Sequence, residues 1–146
     1  MKRNAVTRLA MIILMEHDLE AAINFYQKLG LKLVFHVKGQ WAELALEGTQ
    51  LGLCPTEQEP FERHTGVVLQ VPDLMELFNE LKDQIPFLSD PTQAAHGIMV
   101  SVKDPGGNII DLYQPTPEKV KELMQTIQDA ACCKGTSTCG QKEQGC

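Results

Sequence analysis

Few side chains of this sequence are of a kind that does chemistry, and they are unevenly spaced. Of five cysteines, only Cys54 lies in the body of the chain. Cys132, Cys133, Cys139 and Cys146 crowd into the last 15 residues. An adjacent pair followed by gaps of five and six residues is not the paired Cys-x-x-Cys spacing of a zinc finger. Flexible thiolates still suit soft ions such as Cu(I), Zn(II) or As(III). The tail is therefore expected to offer reactive thiols, with soft-metal binding as its one possible chemistry. His17, His36, His64 and His96 are scattered. None falls where the pattern would set it beside Ser101 or Cys54, so no nucleophile–base pair is expected. Glu43 and Asp111 would serve as acid and base only if burial drove one pKa above the other.

The elements that must position these groups come from a chain of 146 residues, 43% hydrophobic and 22% charged, which reads as globular. Its 13 basic against 19 acidic residues give a formal charge of -6. That balance argues against nucleic acid or an anionic membrane as a general partner. The longest apolar run, Leu9 to Met15, is far short of a membrane span, which needs about 20 residues. Met1-Lys2-Arg3 is not followed by a secretory signal, so the cytoplasm is the expected compartment. Cysteines gathered at one end cannot staple a core, so the fold must stand on hydrophobic burial.

Along the chain, Arg8 to Met15 reads as a buried strand. Asp18 is placed to cap a helix bearing Leu19, Ala22, Ile23 and Tyr26, and Gly30 ends it. Strands follow over 31–38, 41–47 and 50–54, separated by Gly39-Gln40 and Gly48-Thr49. Residues 56–63 read as a linker, and then the pattern restarts. A strand over 66–71 precedes a helix capped by Asp73. A weak strand over 86–88 and an alternating one over 98–103 come next. Asp104-Pro105-Gly106-Gly107 turns the chain into a last strand over 108–114. Asp18-Leu19 recurs as Asp73-Leu74 and Asn24 as Asn79, 55 positions on. Leu51-Gly52-Leu53 lies over Ile110-Asp111-Leu112. The pattern is an internal βαβββ repeat. Module 1 spans about 7–55 and module 2 about 64–115. A third helix over 117–131 carries Val120, Leu123, Met124 and Ile127. Residues 132–146 have no aliphatic side chains to bury and are expected to be disordered.

The run Asp18-Leu19-Glu20 to Phe25-Tyr26 with Leu29-Gly30-Leu31, and Asp104-Pro105-Gly106-Gly107-Asn108 leading into Ile110-Asp111-Leu112, resemble the vicinal oxygen chelate superfamily. This group includes glyoxalase I, extradiol dioxygenases and bleomycin-resistance proteins. The resemblance covers residues 8–115 and places one such domain over 1–116. It implies an α+β fold in which two tandem βαβββ modules form a curved mixed sheet around a concave cleft, with the C-terminal helix added. It also implies a homodimer. In metal-dependent members four sheet positions point into the cleft. Carried over by alignment, they fall on Met11, Gly52, Gly66 and Asp111. Only Asp111 suits a hard or borderline divalent metal, and a site needs at least three such donors. No cofactor is therefore expected. The alternative is one divalent metal (Fe, Ni, Zn or Mn) held by His64, Glu43 and Asp111 after a register slip or bulge in the strand that follows His64.

With one face of each strand packed on the helices, alternate residues face the cleft. Those are Met11, Trp41, Glu43, Gly52 and Cys54 from the first module, and Gly66, Gln70, Met99, Ser101, Asp111 and Tyr113 from the second. Apolar walls with sparse polar anchors are usual for ligand pockets. The leading expectation is a small organic ligand bound without the usual metal, as the bleomycin-resistance likeness implies. The alternatives are a metal-dependent lyase, isomerase or dioxygenase of the same superfamily, and a non-catalytic interaction dimer.

Overall fold

The computed structural model describes residues 5–135. The first module holds β1 (Ile12–Glu16), α1 (Leu19–Lys28), β2 (Lys32–Val37), β3 (Trp41–Leu46) and β4 (Thr49–Pro55). The second holds β5 (Arg63–Gln70), α2 (Leu74–Leu81), β6 (Thr92–Ala94), β7 (Gly97–Lys103) and β8 (Asn108–Pro115). The final helix is α3 (Pro117–Gly135). Each module makes a four-stranded mixed sheet, ordered β1-β4-β3-β2 in one and β5-β8-β7-β6 in the other. First and last strands run parallel, and the other pairs are antiparallel. The duplicated α+β fold read from the sequence is the fold of the chain. Among the described residues, no helix is long and apolar enough to cross a membrane.

Both helices start where an aspartate can cap them. Asp18 accepts a hydrogen bond from the Ala21 backbone at 3.0 Å, and Asp73 one from Glu76 at 3.0 Å. Strand alternation then sorts the side chains. Leu14, Ala42, Leu44, Leu51 and Leu53 join Leu19, Ala22, Ile23 and Tyr26 of α1 in one hydrophobic cluster. That cluster continues into the second module through Leu69, Val100, Val102, Ile110 and Leu112. Each fully buried aliphatic side chain contributes roughly 2 kcal/mol, so this shared core dominates the stability.

A polar clasp crosses the seam between the modules. Tyr26 Oη donates to Asp104 Oδ2 at 2.7 Å. Asn108 Nδ2 donates to the Met15 carbonyl at 3.0 Å, and an Arg63 guanidinium N–H donates to the same carbonyl at 2.6 Å. Gly106 belongs to this seam for a reason of space. A Cβ there would collide with Glu16 Oε2 and stand 2.9 Å from the Met15 carbonyl oxygen.

Three expectations about boundaries are corrected. β1 begins at Ile12 and not Arg8; residues 6–10 are exposed. The segment 86–88 does not form a strand of its own: Phe87 makes a single bridge to Val102, and the strand that borders β7 is β6 at Thr92–Ala94. Pro91, which has no N–H for a ladder, separates the two stretches. α3 runs to Gly135, past the expected end at Ala131, because Ala130 and Ala131 favour helix and no breaker precedes Gly135. Cys132 and Cys133 are therefore helical, and Cys132 is not a free thiol. Cys139 and Cys146, and with them most of the expected disordered tail, lie outside the described residues.

Candidate functional site

The sheet faces turned away from the core carry the candidate residues in registered rows. In the first sheet Ile13 pairs with Gly52, Gly52 with Glu43, and Glu43 with Phe35. Beside that row stand Met15 with Cys54, and Trp41 with Val37. In the second sheet Val68, Asp111 and Ser101 form one row, and Gln70, Tyr113 and Met99 the next. These faces are apolar and open: Ile13, Phe35 and Val68 are each about half exposed.

On the first sheet, Trp41 and Gly52 make a single unit. A Cβ on Gly52 would lie 2.7 Å from the Trp41 ring, so the indole lies over the glycine and only glycine fits beneath it. Trp41 Nε1 donates to Glu43 Oε1 at 2.9 Å, which fixes the ring and takes one of the two carboxylate oxygens. The second sheet carries a comparable arrangement. Ser101 Oγ donates to Asp111 Oδ1 at 2.5 Å. Tyr113 Oη lies 2.8 Å from His96 Nδ1, and the two rings meet edge to face at 5.2 Å. The Tyr113 ring also covers Gly97, where a Cβ would come within 2.7 Å of it. Each sheet thus presents one aromatic ring seated on a glycine, with hydrogen-bonding groups beside it.

His96 is a site neighbour absent from the cleft residues expected from the sequence. Its signal is Gly97, whose missing side chain admits the Tyr113 ring. His36 turns to the helix side, with Nε2 3.3 Å from Glu20 Oε1 of α1. His17 hydrogen-bonds the Gln58 carbonyl at 3.1 Å. Met11 precedes β1 and is half-buried. Cys54 is a free, partly buried thiol.

The bulge between His64 and Asp111 exists. β5 takes four steps from His64 to Val68 where β8 takes two from Ile109 to Asp111. Gly66 supplies the bend with φ +74°, and Thr65 Oγ1 covers the freed Ile109 carbonyl at 2.8 Å. Val68, and not Gly66, is consequently the partner of Asp111. The bulge does not gather the three alternative metal donors. Glu43 is held by Trp41 and Asp111 by Ser101. Among the described residues no three His, Cys, Asp or Glu side chains are grouped to hold a metal ion. The positions carried over from metal-dependent relatives do not fit one either. The indole fills the space at Gly52, Gly66 serves the bulge, and Met11 offers only a soft thioether.

A recess of about 580 Å³ opens at the seam by the edge of the second sheet. Val68 and Gln70 of the open face line it, together with Ile12, Leu31 and Leu46 from the core side of the first module.

A sequence model of the Glyoxalase/Bleomycin resistance protein/Dioxygenase superfamily matches residues 8–112. No curated protein matches the chain by sequence. Among solved structures, the chain is similar to a mutant of the fosfomycin resistance protein FosX from Listeria monocytogenes, complexed with Mn(II) and 1S,2S-dihydroxypropylphosphonic acid. That match has TM-score 0.65 and 12% identity, over 79% of this chain and 97% of the other. TnmS3, an antibiotic binding protein from Streptomyces sp. CB03234, matches with TM-score 0.61 and 24% identity, over 78% and 100%. Lactoylglutathione lyase from Agrobacterium tumefaciens matches with TM-score 0.60 and 20% identity, over 75% and 94%. At such identities the structural likeness concerns the fold.

Proposed function

The chain belongs to the Glyoxalase/Bleomycin resistance protein/Dioxygenase superfamily, and from that membership we infer that it binds a small organic molecule on its open sheet faces without a bound metal. The observation that carries this reading is the Trp41–Gly52 unit, which puts a flat apolar ring where a ligating side chain would otherwise stand. Trp41 and Tyr113 supply aromatic surface, Met99 and Val68 apolar wall, and Glu43, Ser101, Asp111 and Gln70 the polar anchors. TnmS3, an antibiotic binding protein, shares the fold and supports an antibiotic as the ligand class, and the Trp41 and Tyr113 rings favour an aromatic one. Half-exposed Ile13, Phe35 and Val68 support a second copy of the chain as the cover over these faces.

Trp41 is the single tryptophan of the chain, so its fluorescence reports on this face alone. A panel of aromatic antibiotics is expected to contain compounds that change it saturably, with one ligand per chain, in chelator-treated protein. If no compound does so, or if binding requires stoichiometric Fe, Ni, Zn or Mn in a variant with serine at the four tail cysteines, the reading fails. Sedimentation that finds only monomer would remove the second copy from it.

A further inference from the structure

Away from the open faces, a cavity of about 320 Å³ lies where α1 meets the turn after β7 and the connection from α2 to β6. Asn24, Phe25 and Lys28 of α1 line it, and positions three and four apart share a helix face. From the second module come Ile85 and Pro86 on one side and Lys103 and Pro105 on the other. The floor is apolar, with Phe25 and Ile85 both buried beneath it.

The recess borders two cations and one anion. Asp104 borders it, but its carboxylate already accepts four hydrogen bonds: one from Tyr26, one from the Gly106 backbone and two from Asn108. Lys28 and Lys103 remain. Lys103 Nζ reaches Glu62 Oε1 at 2.8 Å, but Glu62 is two-thirds exposed, and such surface pairs exchange at little cost. In a chain of formal charge -6, two lysines stand beside this apolar floor.

The geometry points to a second binding site here, for a small aromatic carboxylate. Its ring would lie on Phe25, Ile85 and the two prolines, with the carboxylate between Lys28 and Lys103. A bare phosphate would leave the floor uncovered, and a hydrocarbon would leave the ammonium groups unanswered. The volume is at the lower end of ligand pockets, which run from about 300 Å³ upward, so the occupant is one or two fused rings. Glu62 then acts as an internal competitor that must release Lys103 before the ligand can take it. A bound acid would tie α1 to the turn that carries Asp104, and so reinforce the seam.

The test is an NMR titration of the full chain with 2-naphthoate, using 2-naphthamide as the uncharged control. Saturable shifts are expected at Asn24, Phe25 and Lys103 with the acid only. Lys28→Met and Lys103→Met retain the apolar stems and should each weaken binding about fivefold to tenfold, the loss of one charge-assisted contact. Glu62→Gln should tighten it by about twofold or more, because Lys103 is no longer shared. The proposal is overturned if the amide binds as well as the acid, if both methionine variants keep full affinity, or if the shifts fall on Trp41 and Tyr113 instead.

Discussion

The carboxyl groups of Glu16 and Asp104 confront one another across the module seam, and Glu16 is wholly buried with its Oε2 accepting no hydrogen bond. Asp104 is ringed by four donors, so the proton the pair shares resides on Glu16. Desolvation first, and then the hydrogen bond and charge of Asp104, push the Glu16 carboxyl from 4.5 up to about 9. Asn108 and Arg63 pull in the opposite direction and do not prevail.

Stability should therefore fall as pH rises from about 4.5 to about 9. The folded value of Glu16 lies above its ordinary one, so its contribution is complete below about pH 4.5 and is lost as pH rises through about 9. Within that window the slope approaches about 1.4 kcal/mol per pH unit. Glu16→Gln, which is neutral throughout, should flatten the curve of Tm against pH and lie above the native protein at pH 8. Parallel curves for the two proteins would show that Glu16 does not titrate in this way.

Tyr26→Phe tests the clasp itself. The substitution keeps the ring and its edge-to-face contact with Phe25 but removes the 2.7 Å donor to Asp104. Losing a buried bond to a charged acceptor should cost about 1.5–3 kcal/mol in urea unfolding. A change below about 0.5 kcal/mol would assign the clasp no energetic role.

Gly106→Ala should cost a comparable amount, about 1–3 kcal/mol, because its Cβ meets both Glu16 and backbone. The cost is expected at pH 5 as well as pH 8, since the Met15 carbonyl cannot move away with the carboxyl. If the destabilisation is confined to alkaline pH, the collision is with Glu16 charge and not with space.

Gly52→Ala acts on the open face. The added methyl displaces the Trp41 indole from its seat and strains its bond to Glu43. A red-shifted tryptophan emission is expected, together with at least about tenfold weaker binding of any ligand found on that face, since lost aromatic contact costs roughly 1.5 kcal/mol. Native emission and affinity in this variant would separate the ring from the site.

The parts of this fold legible in the sequence are those decided locally. Asp18 and Asp73 cap helices because the side chain and the backbone it satisfies lie three residues apart. The alternation of β3 separates Trp41 and Glu43 from Ala42 and Leu44 without reference to any partner. The features left open or missed depend on distant strands. The Gly66 bulge, open as an alternative in the sequence, is fixed only when four steps along β5 are set against two along β8. Glu16 reads as a polar stop after an apolar run, and only the return of Asp104 and Asn108 makes it interior. His96 meets Tyr113 because Gly97 opens the space, a fact about packing and not about pattern.

The clasp also records an asymmetry between the duplicated halves. The position 55 residues beyond Glu16 is Val71, and the one beyond Tyr26 is Leu81. Every group that module 1 contributes to the clasp through a polar side chain is thus hydrocarbon in its counterpart. Asp104 and Asn108, in turn, come from the second half alone. The two halves have become male and female parts of one joint: neither could replace the other, and a chain made of two copies of one half would lack a side of the fastening.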